Sequence, residues 1–261
     1  MPFDKVFEPI HAGNLTLRVA ETEADMHAAQ RLRYRIFCEE MGAVANLAVQ
    51  QQKRDFDMFD DACYHLIVID NTRVGDARVV GTYRILTKDN MPQIGSFYTE
   101  TEYDISAVKK NPVKMMELGR SCVEQQYRTR PVIQMLWQGI GAFIVAQDIK
   151  LMFGCASFHG VNVKEHVHAL SYLYHYHLAP EEVRPVALPA HYVNMNLMPK
   201  EEVVPRAALG VLPPLIKGYL RLGGLVGDGA VLDYAFNTCD VSIVVRTDAM
   251  HSRYADRYLP E

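Results

Sequence analysis

Between Met115 and Lys150 the chain passes from a strand-like run, through a polar basic loop, into a long apolar stretch with helical spacing, and this order restricts the folds open to it. The run MELGRSCV carries a carboxylate and a guanidinium three residues apart, Glu117 and Arg120. Side chains on an ideal strand alternate between faces, so these two face opposite ways unless a bulge or twist intervenes. A break in the strand is therefore expected if both serve one cleft. From Pro131 the sequence VIQMLWQGIGAFIVAQDIK suits a helix packed on a sheet. Strand, basic loop and helix N-terminus together make a site suited to an anionic group.

Composition narrows the function classes. A chain of 261 residues with 49% hydrophobic content can bury a full core as one domain. A formal net charge of −4 argues against general nucleic-acid binding, so any anion site is local. Cys38, Cys63, Cys122, Cys155 and Cys239 are odd in number, scattered and without CxxC spacing, which points to reduced cytoplasmic thiols rather than disulfides or structural zinc. The N-terminal MPFDKVFEPIHAG lacks the basic and apolar regions of a secretory signal and is expected to be retained. The most lipophilic segment, Ala207 to Val226, is interrupted by Pro213, Pro214, Lys217 and Arg221, so no membrane span is expected.

Asn14 to Ala20 alternates like a strand, and Thr22 with Asp25 then opens a helix running to Glu40, with Gly42 as its stop. That helix carries Arg31, Arg33 and Arg35, which composition alone assigns to a solvated basic face. Asn46 to Asp61 reads as a long loop with an acidic and aromatic cluster, Asp55 to Asp61, of the length that lids and binding segments have. Carboxylates there suit an ammonium group or the capping of a helix equally well. Tyr64 to Asp70 and Arg78 to Leu86 form a hairpin, Val113 to Val123 the next strand, and Leu151 to Phe158 another. Strand, helix, three strands, helix, strand implies a mixed α/β sheet.

Val163 to His177 has helical spacing, and its four histidines, His166, His168, His175 and His177, invite a metal reading. Pairs two residues apart point to different faces, and no carboxylate or cysteine lies at ligand spacing, so packing and polar surface are expected and no metal site is assigned. Ala207 to Leu222 reads as one short amphipathic helix with Lys217 and Arg221 one turn apart, suited to core packing or to a membrane interface. Ala230 to Ala235 and Val241 to Arg246 are strands, and Arg253 to Tyr258 a terminal turn.

Four spaced motifs carry a resemblance. Arg33-Tyr34-Arg35-Ile36-Phe37, Asp57-Met58-Phe59-Asp60, Gly81 to Leu86 (GTYRIL) and Glu117-Leu118-Gly119-Arg120, in this order, are similar to those of the acyl-homoserine lactone synthases, a branch of the GNAT N-acyltransferases. EEMGA, ELGRSC, YRTRPV, GCASF, HALSYLYH, LPPLIKGYLRLGG and FNTCDVSIVV extend over nearly the whole chain and resemble the bacterial ornithine lipid N-acyltransferases, sometimes labelled hemolysin-like. Ala43 after Gly42, where the lactone synthases carry tryptophan, and an extension from Pro199 to Glu261 separate the chain from signal synthesis. The resemblance implies a GNAT-like, mostly antiparallel central sheet flanked by helices, with that C-terminal extension.

It also implies transfer of a 3-hydroxy fatty acyl group to the α-amino group of ornithine; glutamine or another amino acid is the alternative acceptor, and a peripheral membrane-binding protein the non-enzymatic alternative. CoA-dependent GNAT enzymes cradle pyrophosphate on a glycine-rich loop, because glycine lets backbone N–H groups approach closely. Here that place reads Gln126 to Pro131 without glycine, which favours acyl carrier protein and its phosphopantetheine, with no separate cofactor. Arg128, Arg130, Lys109, Lys110 and Lys114 are candidates for its acidic surface and phosphate. An attacking amine must be neutral, which makes Glu117 the candidate base, and backbone N–H groups at Ser121, Cys122 and Val123, with Arg120, the candidate oxyanion donors. By the resemblance Arg33, Phe37, Asp57, Asp60 and Arg84 pair around the cleft, with Asp57 or Asp60 the alternative holder of the acceptor's side-chain ammonium. Cys122 as an acyl-enzyme nucleophile is disfavoured, since no activating histidine is placed beside it. The expected location is the cytoplasm, peripherally on the inner membrane.

Overall fold

A computed structural model describes residues 5–128 and 130–249, apart from the side chains of Arg130 and Ala249; the turn expected at Arg253 to Tyr258 lies outside them. In chain order the strands are β1 (Ile10–Ala12), β2 (Leu15–Val19), β3 (Tyr64–Asp70), β4 (Val79–Thr87), β5 (Tyr103–Asp104), β6 (Met115–Val123), β7 (Leu151–His159), β8 (Val186–Ala187), β9 (Leu225–Asp233) and β10 (Thr238–Arg246). The helices are α1 (Glu23–Tyr34), α2 (Leu47–Gln52), α3 (Ser106–Lys109), α4 (Arg130–Gln147), α5 (Val163–His177), α6 (Pro205–Val211) and α7 (Pro214–Arg221). Mixed α/β architecture with mostly antiparallel pairing, as expected, results.

The described chain forms two compact units. The first comprises residues up to Ser96 and Leu118–Ile149, with strand order β1-β2-β3-β4-β6. Its β2, β3 and β4 pair antiparallel, and the β3–β4 hairpin is the one read from the sequence. Helix α4 approaches β2 and β3 closely because Gly139 has no side chain: a Cβ there would lie 2.6 Å from Leu17 Cδ2 and 3.0 Å from Leu66 Cδ1. Thr22 caps α1 by accepting from the Asp25 N–H, while Asp25 itself turns to Arg18 and Arg78. The expected helix to Glu40 changes pitch: residues Arg35–Glu40 form a π-helical turn, closed by Met41 N–H to Ile36 O, before Gly42 turns the chain at φ +79°. The loop expected from Asn46 contains α2, capped by the Asn46 side chain.

The second unit comprises Phe97–Glu117 and the chain from Lys150 onward, with order β6-β7-β10-β9-β8-β5. Met115–Glu117 of β6 pair parallel with Leu151–Phe153 of β7, and β10 pairs antiparallel with β7 along its whole length. The last two strands start earlier than expected, at Leu225 and Thr238, because Gly227 and Gly229 hide the first from a propensity reading. The single helix expected over Ala207 to Leu222 is corrected to two, α6 and α7. Leu212 is extended at φ −60°, ψ 137°, as a residue before proline prefers, and Pro213 and Pro214 start the second helix. Three of the α5 histidines hydrogen-bond within this unit: His166 to Gly160 O, His175 to Met198 O and His177 to the Tyr172 hydroxyl.

Candidate active site

The residues singled out in the first unit meet in a buried charge cluster. Arg33 of α1 is fully buried and donates through Nε to Asp55 at 2.7 Å and through both Nη atoms to Asp60 at 2.6 and 3.1 Å. Arg84 of β4 donates to Asp57 at 2.6 Å and reaches Asp60 at 3.4 Å. Arg120 of β6 donates to Asp57 at 3.1 Å and lies 3.4 Å from Asp55. Burial alone would raise the Asp60 pKa, but Arg33 and Arg84 hold it far below the ordinary carboxylate range. Three guanidinium groups from three elements thus fix three aspartates of the loop that precedes β3. The sequence had marked Asp55 only as one acid among several; its link to Arg33 is non-local.

His65 lies beneath this cluster, fully enclosed, with Nε2 donating to Asp60 O at 3.0 Å. Burial lowers its pKa to about 4, against the pull of Asp60 and with the help of Arg33. In the unfolded chain the imidazole titrates near 6.5, so unfolded protein binds the extra proton first. The stability from keeping His65 neutral is therefore complete above about pH 6.5 and is lost as pH falls toward 4. Urea midpoints measured from pH 7 to 4.5 should decline, and His65→Gln should flatten that decline. An equally steep decline in the variant would assign it to other groups.

Strand β6 runs without interruption from Met115 to Val123, but its backbone is irregular at one residue. Arg120 has φ +49°, a left-handed conformation that costs an L-residue about 1–3 kcal/mol and that its ion pairs with Asp55 and Asp57 hold in place. Beyond it Ser121 and Val123 are half-buried. Cys122 is buried in the apolar cluster of Ala28, Leu32, Ile36, Ile67 and Val79, against which Phe37 packs. Burial pushes its thiol up to about 12, leaving it protonated at neutral pH and unsuited to nucleophilic attack.

Glu117 belongs to the second unit and is buried. Its Oε1 accepts from the backbone N–H and the hydroxyl of Thr99, both at 2.6 Å, and its Oε2 accepts from Tyr98 N–H at 3.0 Å. Three converging donors suit an ionised, acceptor-only carboxylate. The turn that supplies them, Tyr98–Thr101, is held by Phe97 N–H bonding to Glu100, by Lys109 pairing with Glu100 at 2.6 Å, and by Phe97 packing edge-on against Phe153. Thr99 escaped the sequence reading, because a threonine in a loop carries no local signal of its partner.

The glycine-free segment after β6 forms a single 3-10 turn, Gln125–Tyr127, tied down by side chains. Glu124 accepts from Arg73 at 3.0 Å, Tyr127 bonds to Asp70, and Arg128 pairs with Glu40 at 2.5 Å while staying partly exposed. The Arg130 side chain is outside the described residues. In the second unit Lys110 and Lys114 are exposed, whereas Lys109 is engaged by Glu100.

Residues 32–138 match the acetyltransferase (GNAT) domain. A protein of Agrobacterium fabrum named L-ornithine N(alpha)-acyltransferase is 46% identical over 94% of this chain and 85% of its own length. One of the same name from Rhodobacter capsulatus is 41% identical over 93% of both chains. Among solved structures, an N-acyl amino acid synthase from uncultured soil microbes shares the fold with a TM-score of 0.50, over 93% of each chain at 10% identity.

Proposed function

The chain belongs to the L-ornithine N(alpha)-acyltransferase family and is an acyltransferase with a GNAT fold; from that premise we propose that it moves a 3-hydroxy fatty acyl group from acyl carrier protein to the α-amino group of ornithine, giving a lyso-ornithine lipid. The observation that carries the reading is the Glu117 carboxylate, buried on a central strand and aligned by Tyr98 and Thr99. An amino acid amine is mostly protonated at pH 7, and attack on a thioester needs its lone pair. Glu117 takes that proton, directly or through water. The amine nitrogen then bonds to the thioester carbon, and collapse of the tetrahedral intermediate expels the phosphopantetheine thiolate, which takes up the second proton that the nitrogen loses.

The turn after β6 supports acyl carrier protein as the donor. Side chains of Glu124, Tyr127 and Arg128 occupy a place where a CoA pyrophosphate would need bare backbone, and a single phosphodiester makes a smaller demand. Arg128 and Arg130 of the first unit, and separately Lys109, Lys110 and Lys114 of the second, are the proposed sources of positive charge for the acidic carrier. The product is a lipid, which favours release at the cytoplasmic face of the inner membrane; among the described residues no helix is long and apolar enough to cross a membrane.

Purified protein given 3-hydroxyacyl carrier protein and a panel of amino acids should form the acylated ornithine, identified by mass spectrometry, with far slower transfer from the matching acyl-CoA. Faster transfer from acyl-CoA would overturn the donor assignment. Faster transfer to glutamine would overturn the acceptor.

A further inference from the structure

Within the second unit, Glu102, Asp233 and Asp240 each offer a carboxylate oxygen within 4.8 Å of the others. Glu102 and Asp240 are buried and Asp233 is half-buried, so the group reaches from the interior toward the surface. The sheet register relates it to Glu117. Ser242 stands opposite Cys155 in the β10–β7 ladder, and Phe153, two residues before Cys155, stands opposite Glu117 in the β6–β7 ladder. Glu117, Cys155, Ser242 and Asp240 therefore share one sheet face. Thr99 bridges them, because its hydroxyl donates to Glu117 at 2.6 Å and receives the Cys155 thiol at 4.0 Å.

A second observation points to something arriving from outside. The Ser242 hydroxyl, on this face two residues from Asp240, is fully buried and meets no hydrogen-bond partner among the described residues. A buried hydroxyl left so is destabilising, and native structures keep such groups for a ligand or water. The surroundings are electronegative. The Cys155 thiol is raised well above its ordinary value by loss of water and then by the charges of Glu102, Asp240 and Glu117, and the buried Tyr103 hydroxyl is raised by burial and by Glu102 and Asp240.

A cation fits here, and an ammonium fits better than a metal ion. Three acceptors placed about 2.8 Å from a tetrahedral nitrogen sit about 4.6 Å apart, within the observed spacing. Calcium asks for about 6–8 oxygens at about 2.3–2.6 Å, which crowds its ligands closer. Moreover, Asp233 already accepts from the Ala235 and Phe236 N–H groups, at 2.7 and 2.9 Å, and Asp240 accepts from Thr238. In ornithine the α- and δ-nitrogens are five bonds of about 1.5 Å apart, roughly 6 Å when extended. Asp57 and Asp60, the alternative holders, are held by Arg33, Arg84 and Arg120.

We propose that Glu102, Asp233 and Asp240, completed by Ser242, bind the side-chain ammonium of the acceptor while its α-amine faces Glu117. Acceptor choice is then made on this face of the second unit, in favour of a diamino acid. The assignment rests on the acyl-transfer reading above.

Norvaline, which has ornithine's carbon chain without the δ-amine, separates the two. Wild-type protein should prefer ornithine by about 10⁴-fold or more in kcat/KM, as sites built around a polar group reject analogues lacking it. Asp240→Asn should collapse the ornithine-to-norvaline ratio, chiefly by raising KM for ornithine; if that variant does not fold, the half-buried Asp233→Asn is read in the same way. An equal loss on both acceptors would leave the carboxylates a structural role and overturn the subsite. So would loss of transfer on chelation with restoration by calcium or manganese, which would make the cluster a metal site. Wild-type protein that acylates neither amino acid would instead overturn the acyl-transfer reading itself.

Discussion

Glu117→Gln should lower kcat for acyl transfer to ornithine by about 10²–10⁴-fold, the range that a positioned general base supplies. The substitution keeps the volume and one acceptor oxygen, so the Thr99 N–H and hydroxyl retain a partner. The amide nitrogen then faces the Tyr98 N–H, two donors against each other, which costs some stability without emptying the site. Circular dichroism and the thermal midpoint distinguish lost chemistry from lost fold. A folded variant within threefold of wild type would take Glu117 out of proton transfer and leave it only as the clamp on the Tyr98–Thr101 turn.

Arg33→Met should be the most destabilising single change, about 3–5 kcal/mol, a large part of the 5–15 kcal/mol that holds a typical domain. The cost does not come from a lost surface ion pair, which contributes little. Removal of the guanidinium strands Asp55 and Asp60 in a site whose burial requires a positive partner. In a chain of this size that loss lowers the thermal midpoint by roughly 6–20 °C. Asp60→Asn should cost less, because Arg33 keeps Asp55 and Arg84 keeps Asp57. If urea denaturation shows less than about 1 kcal/mol for Arg33→Met, the cluster relaxes to admit water and its rigidity is overstated.

The elements legible in the sequence were those specified by neighbours along the chain. Thr22 announced α1, the alternating runs announced β3 and β4, and the apolar stretch after Pro131 announced α4. The spaced motifs singled out Arg33, Asp57, Asp60, Arg84 and Arg120, which the fold gathers in one cluster. What stayed hidden depends on contacts between distant segments. Thr99 gains its role from a strand eighteen residues later, and Asp240 gains its company from the registers of β10, β7 and β6. The break at Leu212 was visible as two prolines, yet apolar periodicity over Ala207 to Leu222 outweighed them. The π turn left no trace in composition.

That turn has a consequence for how the chain tolerates insertion and deletion. A π turn holds one residue more than an α turn, so it acts as a one-residue frameshift within a continuous helix. Arg33 lies ahead of the shift and meets the aspartates, while Ile36 and Phe37 lie within it and meet the apolar cluster around Cys122. Deleting one residue between Arg35 and Glu40 would restore ordinary helical pitch, and no rotation of the helix would then satisfy both its charged and its oily neighbours. Natural variation in chain length is accordingly expected to avoid this turn and to collect in the loops.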